Sequence, residues 1–226
     1  MKLETRGRVW GPPRRFGSWK LEVGSWSLFT RLLVATTNLG KLREIRELLG
    51  GVPIELVSLN DIEPIASPEE TGPTFAENAR LKAMYYAAHA HVPTVAEDSG
   101  LVIDALNGEP GIHSARFLRP DATYAERFAE IYRRLAQRPA APRSARFVCA
   151  LAVVDDGQVV FETTATVEGE VAETPRGERG FGYDPIFYYP PYGSTLAEVA
   201  QDAKLAVAHR GKAFRALVEW LRSRST

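Results

Sequence analysis

The sequence predicts a mixed α/β sheet with flanking helices, elongated and divided into two lobes around a central cleft. Three observations carry this. Short apolar runs alternate with helical patterns from Arg31 to about Gly111. A strong hairpin signal, Asp156-Gly157 between two long alternating runs, follows later. A helical pattern with Phe214, Leu217, Val218 and Leu221 on one face comes last.

Residues 1–30 stand apart. They hold Trp10, Trp19 and Trp26, the run Gly11-Pro12-Pro13-Arg14-Arg15 and no sustained period, and read as a loose extension before a domain over 31–226. Leu32–Thr36 is a short buried strand by its continuous apolar run. Lys41–Leu49 is an amphipathic helix with Leu42, Ile45, Leu48 and Leu49 on one face, stopped by Gly50-Gly51. Ile54–Leu59 is a second strand, and a Pro-rich acidic loop runs from Asp61 to Pro73. Thr74-Phe75-Ala76-Glu77 is a capping box opening a helix to about His91. Thr94–Ala96 is a strand ending at Glu97-Asp98-Ser99-Gly100, where the glycine permits a tight turn into another strand, Leu101–Ala105. Asn107–Gly111 is a turn cluster. Thr123–Glu126 caps a third helix with Tyr124, Phe128, Ile131 and Leu135 inward. Arg146–Val154 and Gln158–Val167 form the hairpin. Pro175–Gly193 is too long and too aromatic for a mere connector. Thr195–Glu198 caps a fourth helix, and His209-Arg210 begins the last.

Composition narrows the function classes. The chain has 226 residues, 45% hydrophobic and 25% charged, with Lys plus Arg 28 against Asp plus Glu 28. Zero net charge argues against non-specific nucleic-acid or membrane binding, so a polyanionic ligand needs a local cluster of cations. Cys149 is the only cysteine, which excludes an intrachain disulfide and a Cys-rich metal site and fits a reducing cytoplasm. No apolar run approaches the roughly 20 residues that span a bilayer, and no apolar signal region marks the N-terminus.

Several segments can carry chemistry. Thr36-Thr37-Asn38-Leu39-Gly40-Lys41 lies between a strand and a helix, where backbone N–H groups and the helix dipole favour an anion. An ordinary Asn38 cap beside an exposed lysine explains it equally well locally. It is not a P-loop, which needs Gly at Ala35 and Ser or Thr at Leu42. The carboxylates of Glu97-Asp98 suit Mg²⁺, an oxygen-seeking ion that keeps several waters. Glu69-Glu70 on its own reads as a solvated acidic loop, and Lys82 as a surface lysine. Gly180-Phe181-Gly182-Tyr183-Asp184-Pro185 presents an aromatic ring between glycines, fit to stack on a nucleobase or to sit in a core turn. Lys204, His209 and Arg210 place basic groups after it, at helix ends where such residues are usually structural.

In combination these segments resemble the inosine triphosphate pyrophosphatase family, also called XTP/dITP diphosphatases, from about Leu32 to Leu221. Thr36–Lys41 is similar to its T-G-N-x-x-K phosphate loop and Glu70 to its acidic-loop metal ligand. Phe75–Ala79 with Lys82 is similar to its F-x-E-N-A helix, and Asp98-Ser99-Gly100 to its D-S-G. Pro110–Arg116 is similar to P-G-x-x-S-A-R, Phe181–Asp184 to F-G-Y-D, and Lys204–Arg210 to its K…S-H-R ending. Thr37 stands where the family usually has Gly, and Ala208 where it usually has Ser.

The resemblance implies a homodimer that uses Mg²⁺ to hydrolyse non-standard purine nucleoside triphosphates (ITP, dITP, XTP) to monophosphate and pyrophosphate. In that reading Glu70 and Asp98 hold the metal, and Asp98 positions and deprotonates a water. Lys41, Lys82 and Lys204 neutralise the phosphates, with Asn38 and Ser99 adding hydrogen bonds. Phe181 stacks on the purine, while Asp184, His209 and Arg210 read its edge. Two other readings stand beside it: a related pyrophosphatase acting on other NTPs, and a non-enzymatic nucleotide-binding protein.

Overall fold

The structure is a computed structural model and describes residues 30–224. The reading of residues 1–30 as a loose extension therefore falls almost wholly outside the described residues. Strand β1 (Arg31–Val34) is followed by helix α1 (Leu39–Leu49), β2 (Glu55–Ser58), α2 (Phe75–Ala90) and β3 (Thr94–Ile103). Then come α3 (Tyr124–Ala136), β4 (Ser144–Asp155), β5 (Gln158–Val171), β6 (Phe187–Tyr189), β7 (Ser194–Thr195), α4 (Gln201–Val207) and α5 (His209–Ser223). The sheet has seven strands in the order β2-β1-β3-β4-β5-β6-β7. Strand β1 runs parallel to β2 and β3, and every later pairing is antiparallel. The mixed α/β fold read from the sequence is the fold observed.

The hydrophobic pattern explains the layering. Side chains alternate across a strand, so β4 divides its residues between two faces. Cys149, Leu151 and Val153 join the core under α1 and α5, with Leu32, Ile45, Phe214 and Leu217. Ala150, Ala152 and Val154 join the core under α2, where Ala79 and Ala83 let the helix come close. The other ends of β3, β4 and β5 build a third core with Phe128, Ile131 and Leu135 of α3 and Ile186, Phe187 and Leu196. Each fully buried Leu, Ile or Phe there contributes about 1.5–3 kcal/mol. The hairpin joining β4 to β5 turns at Asp156 and Gly157, both at positive φ (45° and 71°), the conformation a two-residue turn of matching twist demands.

Four local expectations are corrected. Glu97–Gly100 does not end a strand: β3 is continuous over ten residues and pairs with β4 from Thr94 to Ile103. The polar quartet stays in the sheet because its carboxylates find cationic partners. Gly100 serves close packing, since a Cβ there would lie 2.4 Å from the carbonyl oxygen of Gly111 and from Ser114 Oγ. Thr195 does not open a helix. Its hydroxyl donates to the Arg176 carbonyl (2.8 Å) and the Leu196 N–H goes to Phe187, so the residue is held in the sheet and α4 begins at Gln201. Tyr124 is not inward but 38% exposed. At Thr74 the hydroxyl accepts the Glu77 N–H (3.2 Å), whereas at Thr123 both halves of the box form with Glu126.

What positions the site is a mismatch in strand length. Strand β1 pairs with β3 only at Thr94 and Val95 and ends at Val34. Beyond that point β3 runs on with one flank open, and Glu97–Gly100 line the opening at the carboxyl end of β1. Ligands of open α/β sheets bind at such places.

Candidate active site

The opening is a cleft of about 290 Å³ lined from the turn after β1, α2, β3, the Phe181–Asp184 turn, α4 and α5. On one side the turn after β1 leads into α1. Asn38 caps the helix, its Oδ1 accepting the Lys41 N–H at 3.0 Å, and Thr36 Oγ1 accepts the Asn38 N–H at 3.2 Å. The first turn of α1 carries no acidic residue, which leaves its positive end free for an anion.

Two ionic clusters face this turn. In the first, Lys82 Nζ lies 2.7 Å from Glu70 Oε1 and 3.4 Å from Asp98 Oδ1, and Arg116 holds the other Glu70 oxygen at 3.1 Å. Asn78 donates to Asp98 Oδ2 at 3.3 Å. Burial pushes the Asp98 carboxyl above its usual range despite Lys82 and Lys41. Burial acts the same way on Glu70, but Lys82 and Arg116 outweigh it and hold that carboxyl below its usual value. Burial disfavours the Lys82 ammonium, yet Asp98 and Glu70 raise its pKa overall.

The second cluster is buried. Arg210, 2% exposed, donates from Nε to Glu97 Oε1 (2.8 Å), from one terminal nitrogen to Glu44 Oε2 (2.6 Å) and from the other to Ser99 Oγ (3.1 Å). Lys204 Nζ bridges Glu44 Oε1 (2.8 Å) and Asp184 Oδ2 (2.5 Å). Asp184 Oδ2 also accepts the Phe181 N–H at 2.8 Å. The Phe181 ring lies 4.9 Å from Lys204 Nζ and 5.4 Å from the Arg210 guanidinium carbon. It rests against α1 at Gly40, where a Cβ would come within 2.8 Å of the ring.

An anion-ready helix end, a lysine between two carboxylates and an aromatic ring over a cation pair thus share one cleft. The model of the Ham1 family matches residues 32–220, which include every residue of both clusters. The chain belongs to the Ham1 family. Among its relatives is a dITP/XTP pyrophosphatase of Geobacillus kaustophilus, 46% identical over 83% of this chain and 92% of the relative. Another, from Geobacter sulfurreducens, is 43% identical over 85% of this chain and 96% of its own. Of solved structures, the HAM1 protein from Coxiella burnetii superposes with a TM-score of 0.80 at 38% identity, covering 86% of this chain and all of that one. The Staphylococcus aureus Ham1 protein gives 0.77 at 33% identity, over 86% and 99%.

Within this Ham1 fold, fifteen of the positions picked from sequence line the cleft: Thr36, Thr37, Asn38, Lys41, Glu70, Lys82, Asp98, Ser99, Phe181, Gly182, Tyr183, Asp184, Lys204, His209 and Arg210. Leu39 does not; it is 66% exposed on the outer side of the turn. Gly40 lies beneath Phe181 rather than in the wall. Thr37 adopts no positive φ, so the backbone at that point does not require the glycine the family pattern carries. Ala208 occupies the cap position of α5 and gives it no side-chain hydrogen bond.

The charge states differ from the sequence reading. His209 is not a cation: burial above all, then Arg210, drives its pKa well below the usual imidazole value. Its ring stacks on Phe147 at 4.8 Å, and its buried Nδ1 has no partner among the described residues. Lys204 is held between two carboxylates, and Asp184 Oδ2 is engaged by Lys204 and the Phe181 N–H.

The sequence reading missed Glu44, the acid that binds both Lys204 and Arg210. The available signal was its place on α1 between Leu42 and Ile45, a charge on an apolar face. Glu97 was read with Asp98 as a pair of metal carboxylates, but the two neighbours on β3 belong to different clusters, Glu97 with Arg210 and Asp98 with Lys82. Arg210 outweighs the cost of burying Glu97 and holds its carboxyl far below the usual range, while Lys41 approaches at 3.6 Å and Cys149 Sγ donates at 2.9 Å.

Proposed function

We propose that this Ham1-family protein hydrolyses non-standard purine nucleoside triphosphates (ITP, dITP and XTP) to the monophosphate and pyrophosphate, and so cleanses the nucleotide pool. The observation that carries the reading is the Glu70–Lys82–Asp98 cluster facing the open N-terminus of α1. Relatives 41–46% identical to this chain are named dITP/XTP pyrophosphatases, which supports the same reaction.

The donor set suits a divalent cation. Glu70 and Asp98 converge on one point, where the Lys82 ammonium lies 2.7 and 3.4 Å from them. Two carboxylates are what Mg²⁺ typically takes from a protein, completing its shell with waters and substrate phosphates. Bound there, Mg²⁺ supplies positive charge to the phosphate oxygens and acidifies water. Asp98 orients the attacking water and accepts its proton as the oxygen–Pα bond forms. The bond from Pα to the bridging oxygen breaks, and pyrophosphate departs. Lys41, Lys82 and the N–H groups of α1 stabilise the charge on the phosphates. Lys204 contributes with its charge shared between Glu44 and Asp184.

At the base end, Phe181 supplies the stacking face. His209, neutral and with a free Nδ1, forms a hydrogen bond to the purine edge beside Arg210. A 6-oxo purine offers an acceptor there, and adenine a donor. A buried site built to satisfy one of these rejects the other strongly.

Among the described residues no helix is long and apolar enough to cross a membrane. The reading takes the protein to act as a homodimer in the cytoplasm, on small-molecule nucleotides rather than nucleic acid. Light scattering at twice the 25.0 kDa chain mass is the expected solution result. The deciding experiment measures pyrophosphate release from ITP, dITP, XTP, ATP, GTP and dUTP with and without Mg²⁺. Turnover confined to the first three, and only with the metal, is expected. Equal turnover of ATP or dUTP would overturn the purine reading.

A further inference from the structure

We propose that Asn78 is a positioning residue: one buried amide locks the Glu70 loop and Asp98 in register. The inference rests on the function proposed above, in which Glu70 and Asp98 serve cleavage together.

Glu70 and Asp98 reach the cleft on unrelated supports. Asp98 is fixed in the middle of β3. Glu70 lies on the irregular stretch between β2 and α2, which has no sheet partner of its own. Something must hold that stretch to the strand if the two carboxylates are to converge. Asn78, on the second turn of α2, is 0% exposed and lies between them. Its Oδ1 accepts the Gly72 N–H at 2.8 Å, two residues after Glu70. Its Nδ2 donates to Asp98 Oδ2 at 3.3 Å. The orientation of the amide follows from its neighbours: only one flip puts the acceptor toward an N–H and the donor toward a carboxylate.

The packing is equally specific. A Cβ at position 72 would lie 2.7 Å from Asn78 Oδ1 and 3.0 Å from the Asn78 backbone nitrogen, so the loop rests directly on the first turns of α2. The same helix carries Lys82, which holds the free ends of both carboxylates. Asn78 thus ties the base of the Glu70 arm to the Asp98 carboxylate, while Lys82 joins the tips of both side chains. An aspartate at 78 retains the acceptor for Gly72 but sets carboxylate against carboxylate at Asp98. An alanine removes both bonds.

The two substitutions therefore separate the halves of the proposal. Hydrogen exchange at the Gly72 amide reads the loop, and steady-state kinetics on ITP with Mg²⁺ read the reaction. In the wild type the Gly72 amide is expected to be protected. In Asn78→Asp it stays protected while kcat falls about 100-fold, as misplacing a reacting group by an ångström does. KM changes by less than about threefold, since phosphate and base contacts remain. In Asn78→Ala both protection and kcat are lost. Near wild-type kcat in Asn78→Asp would overturn the proposal, as would an unprotected Gly72 amide in the wild type. Where the buried carboxylate pair unfolds Asn78→Asp, Gly72→Ala reads the same joint, since its Cβ would push the loop off Asn78 Oδ1, and wild-type kcat in that variant would overturn the proposal. No pyrophosphate from ITP in the wild type would count against the proposed function instead, and the exchange measurement would still report on the joint.

Discussion

Arg210 has almost no freedom left: Glu97, Glu44 and Ser99 engage all three of its nitrogens. Removing it leaves buried Glu97 with only the more distant Lys41 and takes one of its two cations from buried Glu44. Arg210→Ala is therefore expected to cost about 3–5 kcal/mol, lowering the melting temperature by roughly 10 °C for a chain of this size. Thermal denaturation checks this, and an unchanged melting temperature would show that the buried pairs relax easily. Asp98 is the opposite case, a side chain whose loss is chemical. Asp98→Asn keeps its volume and is expected to leave the fold intact while turnover drops by at least about 100-fold, the scale of a lost general base. Near wild-type turnover would remove Asp98 from the mechanism. His209 bears on pH. Its pKa is lowered, so it stays neutral above the ordinary imidazole value and through it. The ratio of kcat/KM for ITP to that for ATP should accordingly be flat between about pH 6 and 8. An inflection near 6.5 would show that the imidazole titrates after all.

Among the elements, α3 owes its start to Thr123. Its hydroxyl accepts the Glu126 N–H, and Glu126 in return accepts from the Thr123 N–H (2.8 Å) and hydroxyl (2.9 Å) and from Arg119. Arg119 first, then the Thr123 N–H, holds the Glu126 carboxyl down to about 2 from an ordinary 4.5. A lowered carboxyl pKa stabilises the fold above the unfolded value and loses that effect as pH falls toward the folded one. The melting temperature gap between wild type and Glu126→Gln should therefore close as pH drops from above 4.5 toward about 2. A gap that persists at low pH would contradict this. That box was legible because its partners lie three residues apart. The continuity of β3 was not, because Glu97–Gly100 looks like a turn until Arg210, more than a hundred residues on, is brought against it. Thr195 misled for a similar reason: its box partner Glu198 is present and accepts its N–H, but pairing with the sheet decided the local conformation. Glu44 stayed hidden because a lone acid on a helix is ordinarily solvated.

For the molecule as a whole, the motifs and their order were readable from the chain, since each joins neighbours in sequence, and so was the α/β layering. Which side chains neutralise one another was not, since those pairs join α1, β3, α4 and α5. Every proposed site residue lies between Thr36 and Arg210, and the three cores draw on Leu32 to Leu221 among the described residues. Removing residues 1–29 is therefore expected to leave ITP turnover and melting temperature nearly unchanged; a large fall in either would assign that segment a part in the domain. The core that joins β1 to α5 has one more consequence, for the order in which the protein is made. Leu32 and Phe214 meet in it, and Glu44 meets Lys204 and Arg210 beside it. A ribosome adding about 5–20 residues each second needs roughly 10–40 s to pass from the first of these partners to the last. During that interval the apolar face of α1 has no cover and Glu44 no cation. The nascent chain is then at its most exposed to proteases and chaperones, and emergence of the final helix closes the core and neutralises the acid together.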